Sequence, residues 1–320
     1  IRILRVTSVN VYFFKVIGEA DLYLNGQIIP EGRHQILNQG SSIRSSKVKP
    51  IYYSDIIGRY LSDKNQEKIV FEANHITYRF KAGNIGLHDL NFRSESGKLV
   101  GIMGGSGAGK STLLNVLNGN NTPSTGTVKI NGIDIHNEKD EIEGVIGYVS
   151  QDDLLIEELT VYQNLYYNAK LCFGNLSNSE ISEKVLDLLN SLGLFEARDL
   201  KVGSPLDKYI SGGQRKRLNI ALELIREPSV MFVDEPTSGL SSRDSENIMD
   251  LLKELSLKGK VIFVVIHQPS SDIFKMFDDL LILDKGGYPI YYANPVDGVI
   301  YFKKAMNQQT AEILAKWEGK

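Results

Sequence analysis

Lys98-Leu-Val-Gly-Ile-Met-Gly-Gly-Ser-Gly-Ala-Gly-Lys-Ser-Thr-Leu-Leu-Asn-Val-Leu117 decides how the rest of this chain is read. The apolar run at 99–103 has the length and bulk of a buried strand, and helical spacing begins at Lys110. Between them lie Gly104, Gly105, Ser106, Gly107, Ala108 and Gly109. Glycines let the backbone turn tightly enough for successive N–H groups to face one anion, where a side chain would block it. Gly104, Gly109, Lys110 and Ser111 satisfy the pattern G-x-x-x-x-G-K-S, with Thr112 next in the helix. The helix start adds the positive end of its dipole, and Lys110 adds a full charge within reach of terminal phosphates. The Ser111 hydroxyl is a hard oxygen ligand of the kind Mg²⁺ favours. Strand, glycine loop and helix in this order read as a nucleotide phosphate site.

The length of 320 residues allows one large or two smaller domains. With 42% hydrophobic and 23% charged residues, the composition is that of an ordinary globular protein. The formal charge of −3 gives no electrostatic footprint for nucleic acid, and no nucleic-acid partner is expected. Cys172 is the one cysteine, which excludes an intrachain disulfide and is expected to be a small core residue. The longest apolar run, 261–266, falls far short of the ~20 residues that cross a bilayer. A membrane-spanning part is therefore expected outside this sequence. The first residue is Ile1 and no signal-peptide pattern follows it, as expected of a trimmed start.

Residues 1–66 have a texture of their own. Apolar stretches at 11–16 and 21–24 read as strands, and Asn25-Gly26 between apolar flanks is a type I′ hairpin signal. A small β-rich piece is expected there, faintly resembling the last strands of a forkhead-associated β-sandwich. From 67 to 305 strands and helices alternate. Short strands are expected at 69–71, 76–80 and 87–92, and a hairpin at Asn131-Gly132. Thr160 caps one helix, and the capping box Ser177 to Glu180 opens another. Strands at 145–149, 230–233, 261–266 and 280–283 interleave with helices from Gln214 and at 245–256 and 271–277. This alternation predicts an α/β fold, a mostly parallel sheet covered on both faces, with a tail at 306–320.

The remaining chemistry sits at strand ends and one helix start. Asp234 and Glu235 follow the apolar strand at 230–233, at the edge where open α/β sheets bind ligands. Asp234 is assigned to Mg²⁺ through its waters and Glu235 to the attacking water. His267 ends the strand at 261–266 and is placed at the γ-phosphate. Gln151 ends the strand at 145–149 and offers a neutral amide to the metal or the water. Ser211, Gly212, Gly213 and Gln214 form a second glycine-rich helix start able to hold an anion.

Taken together in this order, these motifs resemble the ATP-binding cassette (ABC) family over about residues 69–302. The stretches 148–153, 211–217 and 266–274 resemble the G-type, white and pleiotropic-drug-resistance-like, cassettes. The resemblance implies a P-loop NTPase-type fold with an antiparallel β subdomain and a helical subdomain carrying the Ser211–Gln214 signature. It implies ATP and Mg²⁺ as cofactors, with catalysis by Lys110, Gln151, Glu235 and His267 and metal binding by Ser111, Gln151 and Asp234. Tyr78 would be the aromatic that stacks on adenine. The implied partners are a second copy, sandwiching ATP between 104–112 of one chain and 211–214 of the other, and a transmembrane part in the same or another chain. Such a unit would work at the cytoplasmic face of a membrane. After Leu240 the family usually carries aspartate, where this chain has Ser241. The competing class is a soluble ABC ATPase acting on nucleic acid or ribosomes, usually marked by tandem cassettes or a long coiled coil, which this chain lacks.

Overall fold

The computed structural model describes residues 1–6, 11–18, 21–30, 32–38, 41–45, 50–56, 68–204, 207 and 209–318, with side chains as far as residue 307. The expected boundary at residue 66 lies outside the described residues.

Among the described residues seven short strands precede that boundary: β1 Arg2–Val6, β2 Val11–Lys15, β3 Tyr23–Leu24, β4 Gln27–Ile28, β5 His34–Leu37, β6 Ser42–Arg44 and β7 Ile51–Tyr52. They make two antiparallel sheets, β1-β2-β5 and β4-β3-β6-β7. The β3–β4 turn has Asn25 at φ 52° and Gly26 at φ 88°, both left-handed as a type I′ turn requires. Tyr12, Phe14, Leu37, Ile43 and Tyr53 bury a small core of their own.

The larger unit is built on a six-stranded sheet in the order β13-β14-β15-β10-β16-β17. Its members are β10 Leu99–Gly104, β13 Ile146–Val149, β14 Val230–Asp234, β15 Val261–Val265, β16 Asp279–Asp284 and β17 Tyr288–Ala293. All neighbours are parallel except β16 and β17. The β14 and β15 side chains go to two cores by strict alternation. Val230 and Phe232 face one with Phe263, while Met231 and Val233 face the other with Ile262 and Val264. Phe232 and Phe263 stack at 5.0 Å, and Phe71 meets Phe263 at 4.9 Å. Phe71 belongs to the antiparallel sheet β12-β11-β8-β9, formed by β8 Val70–Arg79, β9 Ile85–Glu95, β11 Thr125–Ile130 and β12 Ile133–Asp134. The two strands expected at 69–71 and 76–80 are one strand, interrupted by a bulge where His75 takes φ 51°. The bulge brings the Asn74 and His75 carbonyls within 2.3 Å of where a Cβ of Gly126 would stand, so residue 126 must be glycine.

The helices of the larger unit, among the described residues, are α1 Lys110–Leu117, α2 Val161–Cys172, α3 Asn178–Ser191, α4 Gly212–Leu224, α5 Ser242–Leu257, α6 Ser271–Phe274 and α7 Pro295–Glu318. Capping boxes at Thr160 and Ser177 open α2 and α3, as their sequences predict. Two expectations need correction, and one strand was not foreseen. Residue 306 falls inside α7, because the helix formers from Ala305 through Ala315 continue it, so 306–320 does not begin as a separate tail. The edge strand β17 had no apolar alternation strong enough to announce it. Cys172 is half-buried, since α2 ends there at the rim of its core. Its Sγ accepts from Arg226 Nε at 3.1 Å.

The N-terminal unit docks on α5. Arg44 pairs with Glu246, and Ser54 donates to Asp250 Oδ1 from both N, at 3.2 Å, and Oγ, at 2.5 Å. Tyr52 reaches into the core of the larger unit.

Candidate nucleotide site

The strand β10 runs into the glycine loop, and α1 leaves it at Lys110. Gly107 and Gly109 have φ 74° and 90°, and open space lies where a Cβ of Gly107 would stand. Gly104 is glycine for another reason, since its Cβ would meet the Leu283 carbonyl at 2.6 Å. Lys110 folds back over the loop, its Nζ donating to the carbonyls of Gly104 at 2.9 Å and Gly105 at 3.0 Å. Burial pushes its pKa below the usual lysine value, while Glu235 and Asp234 pull it back up. The ammonium is thus held inside the turn, and the loop residues and Ser111 line the cavity in front of it.

That cavity has a volume of about 420 Å³ and is lined by Ser106, Gly107, Ala108, Gly109, Lys110, Ser111 and Thr112. Glu235 and His267 close it from the ends of β14 and β15. These two strand ends are neighbours, with Asp234 registered against Val265. A left-handed turn at Glu235, φ 45°, swings its carboxylate out of the strand. His267 Nε2 and Glu235 Oε1 are 2.9 Å apart, an ion pair when the imidazole is protonated. Asp234 sits deeper. Burial, then the Glu235 charge, raises its carboxyl pKa, and Lys216, Lys110 and His267 oppose the rise. A cradle of N–H groups, a lysine and hard oxygens from Ser111 and Asp234 suit a phosphate chain with a small divalent cation.

Of the residues singled out from sequence, 106–112, Glu235 and His267 come together around one cavity. Gly104 and Gly105 form the turn behind it. Gln151 stands exposed at the end of β13, and its carbonyl accepts from Lys216 Nζ at 2.8 Å. Ser211 to Gln214 lie outside this cavity at the start of α4. There Ser211 Oγ accepts from Gln214 N–H, and Gln214 Oε1 accepts from Ser211 N–H. Gly212 and Gly213 also answer a packing demand, since their Cβ atoms would stand 3.2 Å from Leu240 and 2.8 Å from Asp244. Ser241 caps α5, accepting from Asp244 N–H.

The structure differs from the sequence reading at the aromatic. Phe80, with Ile85, Gly86 and Gly286, lines the cavity, and Tyr78 does not. Tyr78 packs against the core and meets Phe80 edge-on at 5.3 Å. Gly86 makes this possible, because its Cβ would stand 2.6 Å from the Phe80 ring. The Gly286-Gly287 turn presses on the same place, with a Gly287 Cβ position 2.0 Å from the Gly86 carbonyl. The paired glycines were the available signal, readable only once β9 and the β16–β17 turn are known to touch.

Residues 87–238 match the family described as ABC transporter, and residues 267–309 match that described as ABC-2 type transporter. The mouse broad substrate specificity ATP-binding cassette transporter ABCG2 is 37% identical over 249 residues, covering 74% of this chain and 37% of that protein. ABC transporter G family member 13 of Arabidopsis thaliana is 38% identical over 224 residues, 68% of this chain and 32% of that protein. In structure the chain is similar to cbiO1 of Clostridium perfringens, part of the ABC transporter complex cbiONQ. The TM-score is 0.65 at 28% identity, over 76% of this chain and 94% of that one. The chain spans about a third or less of the length of most of these relatives, 26% for the ABC-type transporter claG of Penicillium crustosum. Among the described residues no helix is long and apolar enough to cross a membrane.

Proposed function

The chain carries an ABC-type nucleotide-binding domain resembling those of the G family, and from that premise we propose that it binds and hydrolyses Mg-ATP to drive a transporter from the cytoplasmic face of a membrane. The observation that carries this reading is the cavity in which the glycine loop, Lys110, Glu235 and His267 meet. Lys110 and the loop N–H groups hold the phosphates, and Phe80 offers the ring face for the base. Glu235, 2.9 Å from His267 Nε2, takes the proton of the attacking water. Ser111, Asp234 and Gln151 would hold Mg²⁺, which supplies charge neutralisation at the terminal phosphates.

Ser211–Gln214 open α4 outside their own chain's cavity, so they serve the phosphate of a second copy. ATP is then the glue of a dimer. The membrane part docks beside Gln151, where Leu154 and Ile156 a few residues on are exposed, Leu154 by 70%. The formal charge of −3 gives the competing reading, an ATPase on nucleic acid or ribosomes, no support.

Mixing two inactive variants tests this. Ser211→Arg should bind ATP as a monomer yet neither dimerise nor hydrolyse it. Lys110→Ala should lose ATP binding. A heterodimer of the two has one composite site with both halves intact, so ATPase activity should return only in the mixture. Wild-type turnover by monomeric Ser211→Arg would refute the sandwich.

A further inference from the structure

The helix α4 is stitched along its length to β13 and the segment that leaves it. Glu223 Oε2 accepts from the Tyr148 N–H at 3.3 Å, and Asn219 Oδ1 accepts from the Leu154 N–H at 3.3 Å. Arg215 Nε donates to Asp153 Oδ2 at 2.6 Å, while its Nη1 donates to the Gly203 carbonyl at 2.7 Å. Between these lies Lys216, whose Nζ donates to the Gln151 carbonyl at 2.8 Å. It is 7% exposed, so a full positive charge has been taken out of water. Such a charge persists only when it is compensated. The carboxylates of Asp153, Asp234, Asp152 and Glu235 all bear on it, and they offset the burial that holds its pKa down. One buried ammonium therefore faces the acidic ends of β13 and β14 together.

Its place on the helix matters. Lys216 stands five residues after Ser211, about 7.5 Å along the axis, within the same rigid rod. Whatever grips Ser211–Gln214 moves Lys216 with it, and Lys216 holds Gln151.

We propose that Lys216 is a positioning residue that ties the start of α4 to the Gln151 loop and the carboxylates of its own chain, so that contact with the partner's phosphate and alignment of the chain's own water-activating site move as one body. This rests on the ATPase reading above. It gives the chain a route between the two nucleotide sites of a dimer that does not pass through Ser241, the residue that caps α5.

The test uses the 320-residue chain with Lys216→Met, which keeps length and loses charge, and Lys216→Arg, which restores a buried cation. Nucleotide binding is measured with a fluorescent ATP analogue without Mg²⁺, turnover by phosphate release, and backbone order at 150–155 by hydrogen exchange without nucleotide. Binding should be unchanged in both variants, because Lys216 does not line the cavity. In Lys216→Met the amides of 150–155 should exchange faster and kcat should fall about 10²-fold, as expected for a misplacement near 1 Å. KM should stay within about threefold of wild type, and Lys216→Arg should recover much of kcat. Unchanged exchange at 150–155 in Lys216→Met, or equal kcat in the Met and Arg variants, overturns the proposal. If Lys216→Met does not fold by circular dichroism, Lys216→Gln is put through the same measurements. Should the wild-type chain show no ATPase activity, the reading above falls instead, and hydrogen exchange alone decides the role of Lys216.

Discussion

Asp250 is 2% exposed beneath the N-terminal unit, and its carboxyl pKa is pushed from 3.8 to about 7. Burial is the main cause. The two hydrogen bonds from Ser54 oppose it, and the charges of Glu254 and Asp55 add to it. A carboxyl whose pKa is raised by folding is favoured in its protonated form. Its contribution to stability is therefore fully present below pH 3.8, is lost as pH climbs toward 7, and changes no further above that. At about 1.4 kcal/mol per unit the whole penalty is about 4 kcal/mol, of which about 3 kcal/mol falls between pH 5 and pH 8. Asp250→Asn removes the titration while leaving an Oδ1 to accept from Ser54. Its new amide donors cost about 1–3 kcal/mol if unpaired, a cost that does not vary with pH. The expected outcome is that the stability of Asp250→Asn relative to wild type rises by about 3 kcal/mol from pH 5 to pH 8. Urea denaturation of both proteins at pH 5, 6, 7 and 8 measures it. Parallel curves for the two proteins over that range would refute the argument, because Asp250 would then titrate alike folded and unfolded.

Glu235→Gln keeps the shape of the side chain and removes the base, so ATP binding should survive while phosphate release falls about 10²–10⁴-fold. The variant should accumulate as an ATP-bound dimer on size exclusion, and normal turnover would place water activation elsewhere. Phe80→Ala should weaken ATP binding about tenfold while leaving inorganic triphosphate binding alone, because only the ring face is lost. Tyr78→Ala should instead cost about 2 kcal/mol of stability, measured by urea melt, with ATP affinity held. The reverse ranking would return the base-stacking role to Tyr78.

The phosphate loop was legible because its chemistry is local: residues 104–111 are contiguous, and glycine spacing, lysine and serine need no distant partner to be recognised. The carboxylates were legible for a related reason. A fully apolar strand such as 230–233 has to be buried, so Asp234 and Glu235 had to emerge at a sheet edge. The capping boxes at Thr160 and Ser177 and the Asn-Gly turns were readable within four residues. What failed involved contacts between segments far apart in sequence. Cys172 has apolar neighbours in sequence, but α2 ends there at the rim of the core. The interruption in β8 is a bulge paired with Gly126, some fifty residues on.

The aromatic at the cavity divides sequence from structure most clearly. Alternation along a strand puts 78 and 80 on one face and cannot choose between them. The choice is made by the turn after β8, where the Phe80 N–H donates to the Asn84 carbonyl and the Gly83 N–H to the Phe80 carbonyl. That turn lays the Phe80 ring over Gly86, where no Cβ stands. Sequence alone determined that this chain carries a glycine loop with a lysine between a strand and a helix, and two carboxylates at a sheet edge, because local backbone sterics and burial dictate both. Tertiary structure alone decided which ring faces the cavity, what braces α5, and that a lysine from the signature helix holds the Gln151 loop. Each of these depends on the distance between side chains that the chain brings together only by folding.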